Sequence, residues 1–293
     1  MLKIFCFTWQ TLWGVAESPD SSGEGEVTSA TVRLDFIPIQ EGKQGELARI
    51  TLNRPDAANA FNSEMVNALI EAFQEPRISD SKCRALVLSG VGKHFCAGAD
   101  LVEMGEMGRA GWEVNLAQAT QIASLYHYVR ECPVPTIALV HGSCFGGGVG
   151  LVAACDWAIA KEDARFCLSE VRVGAVAGVI LPYLTDKVEV GALRRWVLQA
   201  RTLTAEEARN VGLVQSIGNE KTVEEELTNL LSGSPEAQRA FKRAHLKMTQ
   251  HTSTEMAGLL AKMRASASGQ EGIQAFLEKR VPRWKATCPK IEW

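Results

Sequence analysis

Several things are missing from this chain of 293 residues, and each absence removes a class of function. No apolar run reaches the roughly 18–20 residues that span a bilayer, so no membrane span is expected. Charge of either sign is not in excess: the formal net charge is −3, which gives no whole-chain electrostatic reason to expect nucleic acid or an anionic membrane as partner. The eight cysteines contain no C-x-x-C pair and lie mostly in apolar stretches. They read as buried, reduced thiols rather than a disulfide or zinc framework. His94, His127, His245 and His251 show no ligand spacing, so no metal is expected. Gly90-Val-Gly-Lys93 lacks the first glycine of a phosphate-binding P-loop and has His94 where Ser or Thr should follow. The run 146–150 lacks the G-x-G-x-x-G spacing of a dinucleotide fold, and no internal repeat is visible.

What remains is an ordinary globular composition, 46% hydrophobic and 22% charged, with length for one large domain or two modest ones. Residues 1–30 stand apart. Positions 4–16 are fairly apolar after Lys3, but Thr8, Gln10 and Thr11 interrupt them, and 18–26 is polar and acidic. No arginine precedes Arg33, unlike an arginine-rich mitochondrial presequence. The segment is read as a poorly ordered extension, with a signal peptide as the alternative. The cytoplasm is the expected compartment, a mitochondrial or secreted location the alternatives.

Alternating apolar runs at 34–39 and 46–52 predict a β-hairpin, which Pro55 ends. Asn62 or Ser63 can cap a helix whose apolar face is Met65, Val66, Leu69, Ile70 and Phe73. A short buried strand is expected at 84–88 and a long helix at 114–130, stopped by Pro133 and Pro135. Strands follow at 136–140, 156–160, 165–168 and 213–217, with helices elsewhere from 189 onward. The pattern is an α/β core over 31–217 and a helical C-terminal region over 218–293.

The stretch that organises the chain is His141-Gly-Ser-Cys-Phe-Gly-Gly-Gly-Val-Gly150. A strand, a glycine turn and a helix start leave backbone N–H groups without intrahelical partners. A second glycine turn, around Gly98, also follows a short strand and precedes a helix. Two such turns suggest two backbone donors converging on one oxygen that gains negative charge. His141 and Cys144 read as packing at a strand end rather than as a base and nucleophile.

Phe95-Cys-Ala-Gly-Ala-Asp-Leu101, His141-Gly-Ser-Cys-Phe-Gly-Gly-Gly148 and Phe166-Cys-Leu-Ser-Glu-Val-Arg-Val-Gly174 resemble successive signatures of the enoyl-CoA hydratase (crotonase) family. Asn53-Arg-Pro55 with Asn59-Ala60, and Phe276-Leu-Glu-Lys-Arg280, resemble its first and last signatures, so the likeness covers about residues 32–284. The resemblance implies a crotonase-type ββα spiral core assembled as a homotrimer or a dimer of trimers. The C-terminal region would serve trimerisation and cover the substrate. The substrate would be an acyl-CoA or acyl-carrier-protein thioester, with coenzyme A or phosphopantetheine present only as part of it.

By motif position, Ala99 and Gly147 match the residues whose N–H groups hold the thioester oxygen, and Glu170 matches an acid–base glutamate. The resemblance places Asp56, Ala58 and Ala60 against the adenine and pantetheine, and Lys279 toward the CoA phosphates. It extends the thioester-binding set to Gly98, Asp100, Leu101, Gly146 and Gly150. Standard hydratases of the family use two glutamates around one water, and the first falls here on Gly150. Packed among Phe166, Leu168 and Val171, Glu170 is expected to have a raised pKa. The wording of 145–156, 162–172 and 179–183 resembles methylglutaconyl-CoA hydratases of leucine breakdown and the dehydratases of polyketide β-branching. Ala177 stands where many of them have proline. A hydratase or dehydratase of a branched, methylglutaconyl-like thioester is therefore expected. The alternatives are an enoyl-CoA isomerase, which needs one base and no water, or a catalytically silent crotonase-fold binding subunit.

Overall fold

The computed structural model describes residues 27–39, 44–107, 109–246, 260 and 266–286. Most of the expected extension therefore lies outside the described residues. The sheet already takes in Val27–Thr28 (β1), ahead of the expected core start at 31. β2 (Val32–Pro38) and β3 (Glu46–Leu52) form the expected antiparallel hairpin, with Val32 opposite Leu52 and Pro38 opposite Glu46. From β3 the sheet continues parallel through β4 (Cys83–Gly90), β5 (Thr136–Val140), β7 (Trp157–Ala160) and β10 (Ser216–Ile217). A separate three-stranded sheet holds β6 (Ser143–Phe145), β8 (Arg165–Cys167) and β9 (Leu203–Thr204).

The parallel strands are buried on both faces, which explains why they read as continuous apolar runs rather than alternating ones. Side-chain alternation still sorts them into two layers. Leu86, Leu88, Ala138, Val140, Ala158 and Ala160 face the larger core. Helix α1 (Ser63–Phe73), α4 (Trp112–Glu131) and α5 (Gly147–Ala154) supply much of its other side, the short helices α2 (Pro76–Ser79) and α3 (Leu101–Met107) falling between them in the chain. Ala85, Val87, Ile137, Leu139 and Ile159 face the opposite way, onto Val223, Leu227 and Leu231 of a helix spanning Glu220–Leu231 and onto Ala286. Asn62 caps α1 as expected, its side chain accepting from Met65 N at 2.9 Å. This is the mixed α/β arrangement the sequence predicted.

Candidate active site

Strands β4 and β5 are parallel neighbours, so the chain leaves both at the same edge of the sheet, the place where open parallel sheets present ligand sites. The two glycine turns therefore start side by side. Phe95 N donates to His141 O at 3.0 Å, Cys96 N to Ser143 O at 3.0 Å and Phe145 N to Cys96 O at 2.8 Å, a ladder that zips the two loops together. Gly98 and Gly146 meet at its end, both with positive φ (96° and 48°). A Cβ on Gly98 would lie 3.2 Å from Phe145 O, and one on Gly146 would lie 3.7 Å from Gly98 Cα. The residues just beyond, Ala99 and Gly147, border one cavity of about 200 Å³. Neither Ala99 N nor Gly147 N, the latter opening α5, donates to a backbone acceptor among the described residues.

Glu170 arrives from the second sheet. Strand β8 pairs with β6, and Gly146 N donates to Cys167 O at 2.9 Å, so the chain three residues on passes opposite the glycine turn. There Glu170 opens a short 3-10 turn, Glu170–Val173. Its Oε1 lies 3.3 Å from where a Gly146 Cβ would stand, and its Oε2 is buried without a hydrogen-bond partner. Burial raises its pKa above the ordinary 4.5. Phe166 and Leu168 are buried as expected, but Val171 is exposed, because the tight turn swings it outward.

Asp100 also borders the cavity. Its carboxylate accepts from Arg54 at 3.0 Å and from Val102 N at 3.0 Å, and the Arg54 hydrogen bond holds its pKa below the usual range. Arg54 reaches back to Ala60 O at 2.5 Å. Buried Asn59 accepts from Arg54 N at 2.8 Å and donates to Val91 O at 2.9 Å and to His94 O at 2.8 Å. This network fixes the loop 54–60 against the first glycine turn, and Ala97 N donates to Ala58 O at 2.9 Å.

Of the residues singled out from the sequence, Ala99, Asp100, Gly147 and Glu170 share the cavity. Asp56, Ala58, Ala60, Gly98, Gly146, Gly150 and Lys279 do not line it, and the Leu101 side chain lies outside what the structure describes. Gly98 and Gly146 shape its rim from behind, whereas Lys279 is exposed after the helix Ala267–Leu277. Gly150 is buried within α5, walled in by Ile180 and Tyr126. Sequence reading missed Tyr126 and Ile180, whose side chains form that wall, and Phe61, whose ring lies against Gly147; all three border the cavity. Phe61 is tied in by Phe61 N to Gly98 O at 2.7 Å and Asp100 N to Phe61 O at 2.8 Å. It also missed Glu103, which accepts from Ser63 N at 2.8 Å and Ser63 Oγ at 3.0 Å on the cavity's polar side.

His141 Nε2 lies 2.9 Å from Gly92 O, and burial lowers its pKa. Cys144 is fully buried with its pKa raised by burial, so its thiol stays protonated and unreactive. Among the described residues no group of three His, Cys, Asp or Glu side chains could hold a metal ion. None of the described helices is long and apolar enough to cross a membrane.

Two unpartnered amides beside a buried carboxylate form an arrangement for stabilising an enolate oxygen while a proton moves nearby. The family model for enoyl-CoA hydratase/isomerase matches residues 42–287. The chain belongs to the enoyl-CoA hydratase/isomerase family. A mevalonyl-coenzyme A hydratase of Beauveria bassiana is 34% identical over 259 residues, 80% of this chain and 90% of that protein. The human mitochondrial Delta(3,5)-Delta(2,4)-dienoyl-CoA isomerase is 36% identical over 225 residues, 72% of this chain and 64% of the isomerase. The crystal structure of an enoyl-CoA hydratase from Shewanella pealeana superposes with a TM-score of 0.78 at 34% identity, covering 86% of this chain and 95% of that one. The crotonase fold and enzymatic hydratase or isomerase chemistry on CoA thioesters follow from this membership.

Proposed function

We propose that this member of the family adds water to, or removes it from, a 2-enoyl thioester, using Ala99, Gly147 and Glu170. The amides of Ala99 and Gly147 hold the thioester oxygen, the positive end of α5 adding to the second. As water adds to C3, Glu170 takes a proton from it and returns a proton to C2, so the net change is one H2O added. The observation that carries this reading is the placement of Glu170 beside the glycine turn, its Oε1 3.3 Å from where a Gly146 Cβ would stand and its Oε2 buried without a hydrogen-bond partner. Glu170→Gln is expected to lower turnover by about 10²–10⁴-fold, the usual worth of a positioned acid–base group. Acyl-CoA binding, measured by calorimetry, should be retained. Unchanged turnover would overturn the assignment.

The acyl group is proposed to be branched, on the motif wording and the likeness to a protein described as a mevalonyl-coenzyme A hydratase. The described lining carries three carboxylates, Asp100, Glu103 and Glu170, and no lysine or arginine. That favours a neutral branched chain over a methylglutaconyl chain with its second carboxylate. A mass-spectrometric panel of neutral and acidic branched thioesters, on CoA and on a carrier protein, tests both points. Homotrimeric assembly belongs to this reading and is checked by sedimentation.

Isomerisation is the second reading, favoured by the full wall at Gly150, which has no room for a second carboxylate. A 1,3-proton shift needs one base and no water. Incorporation of oxygen from H2¹⁸O separates the two, since only hydration takes oxygen from solvent.

A further inference from the structure

The space that a side chain at 150 would need is already taken. A Cβ there would lie 2.4 Å from Ile180 Cγ2 and 2.7 Å from Tyr126 Cε1. Tyr126 is 1% exposed, yet it borders the cavity. Its hydroxyl donates to Gly147 O at 3.1 Å and lies 2.9 Å from where a Gly147 Cβ would stand. Glu170 Oε1 lies 3.3 Å from the equivalent point on Gly146. The two side-chain oxygens therefore stand beside successive residues, Tyr126 Oη at Gly147 and Glu170 Oε1 at Gly146, on either side of the link that carries the Gly147 N–H.

A phenol whose proton is committed to a carbonyl still has lone pairs to offer, so the oxygen of Tyr126 remains an acceptor. Burial pushes its pKa well above the ordinary phenol value, which keeps the group neutral and its O–H donating to Gly147 O. Glu170 Oε2, the other buried oxygen, has no partner of its own. One water has two hydrogens to give, and these are two acceptors.

We propose that Tyr126 is the positioning residue for the water that is added, standing in for the absent carboxylate at Gly150. Its oxygen accepts one hydrogen of that water and Glu170 accepts the other, which turns a water lone pair toward C3 of the enoyl group. The new C3–O bond forms as the C2–C3 π pair shifts toward the thioester oxygen. The water proton passes to Glu170 and then to C2, and Tyr126 ends the cycle with the proton it began with. This rests on the hydratase reading above.

Tyr126→Phe keeps the ring that fills the wall and removes only the oxygen. With crotonyl-CoA and 3-methylcrotonyl-CoA in H2¹⁸O, hydration should fall about tenfold or more, the scale of one lost hydrogen bond in the transition state. Deuterium uptake at C2 of isovaleryl-CoA in D2O needs only Glu170 and the amide pair. It should stay within about twofold, because no water is held for that step. Equal losses in both assays would make Tyr126 a structural support for Gly147 and overturn the proposal, as would no loss in either. A parent enzyme that exchanges deuterium but takes up no ¹⁸O sinks the hydratase reading itself, and this inference with it. If the phenylalanine variant does not fold, 3-fluorotyrosine at 126 gives the same comparison with a weaker acceptor. Unchanged hydration there overturns the role.

Discussion

Burying one oxygen of Glu170 without a partner costs the folded chain stability whenever that carboxyl is charged. Its folded pKa stands above the ordinary 4.5, so the folded protein holds the proton more tightly than the unfolded chain. Stability from this group is full below the unfolded value and is lost as pH rises through the raised one. Glu170→Gln removes that loss, so its thermal midpoint is expected to exceed the parent's at about pH 8 and to converge with it below about pH 4. Calorimetric scans across that range check it, and equal midpoints throughout would remove the burial argument. Glu170 was legible in the sequence because it sits in a short motif with Ser169 before it. Tyr126 was not. It shares the buried stripe of α4 with Leu125 and Val129, and nothing in the spacing tells a core aromatic from one whose hydroxyl reaches a cavity.

Helix α5 shows how packing can reverse an intrinsic preference. Gly-to-Ala inside a helix ordinarily stabilises by about 0.5–1 kcal/mol. At Gly150 the added methyl would meet Ile180 and Tyr126 at under 3 Å, and such overpacking typically costs about 1–3 kcal/mol. Gly150→Ala is therefore expected to be less stable than the parent, with a lower denaturant midpoint at unchanged slope. A higher midpoint would mean that the wall is loose. The longer elements could be read from the sequence, the hairpin and α1 from periodicity, α4 from its length and the prolines that stop it, and the buried parallel strands from their unbroken apolar runs. Strands β6 and β9 could not, since three or two residues are too few to show an alternation and their pairing is set by distant chain. The site's inner wall escaped too, because Phe61, α4 and the turn Gly178–Ile180 meet only in three dimensions.

At the scale of the whole molecule, the helices after residue 217 pack onto the central sheet. Buried Arg84 in β4 donates to Gln44 O at 3.2 Å, Trp284 O at 3.1 Å, Leu231 O at 3.1 Å and Gly233 O at 3.2 Å. One guanidinium thus pins the helical region to the central sheet. Arg84→Met is expected to cost about 2–4 kcal/mol, through buried carbonyls left without donors. Amide hydrogen exchange should quicken in 220–231 and 281–286 while α1 stays protected. Uniform quickening would show that Arg84 supports the sheet as a whole rather than this docking.

The same layer has a consequence for how the protein is made. Strands β4 and β5 emerge from the ribosome long before Val223, Leu227 and Leu231, which cover their second face. Until residue 231 has left the exit tunnel, the growing chain carries Val87, Ile137 and Leu139 bare on one side of a half-built sheet. That interval is when a chaperone has most to hold, and when neighbouring nascent chains are most exposed to one another.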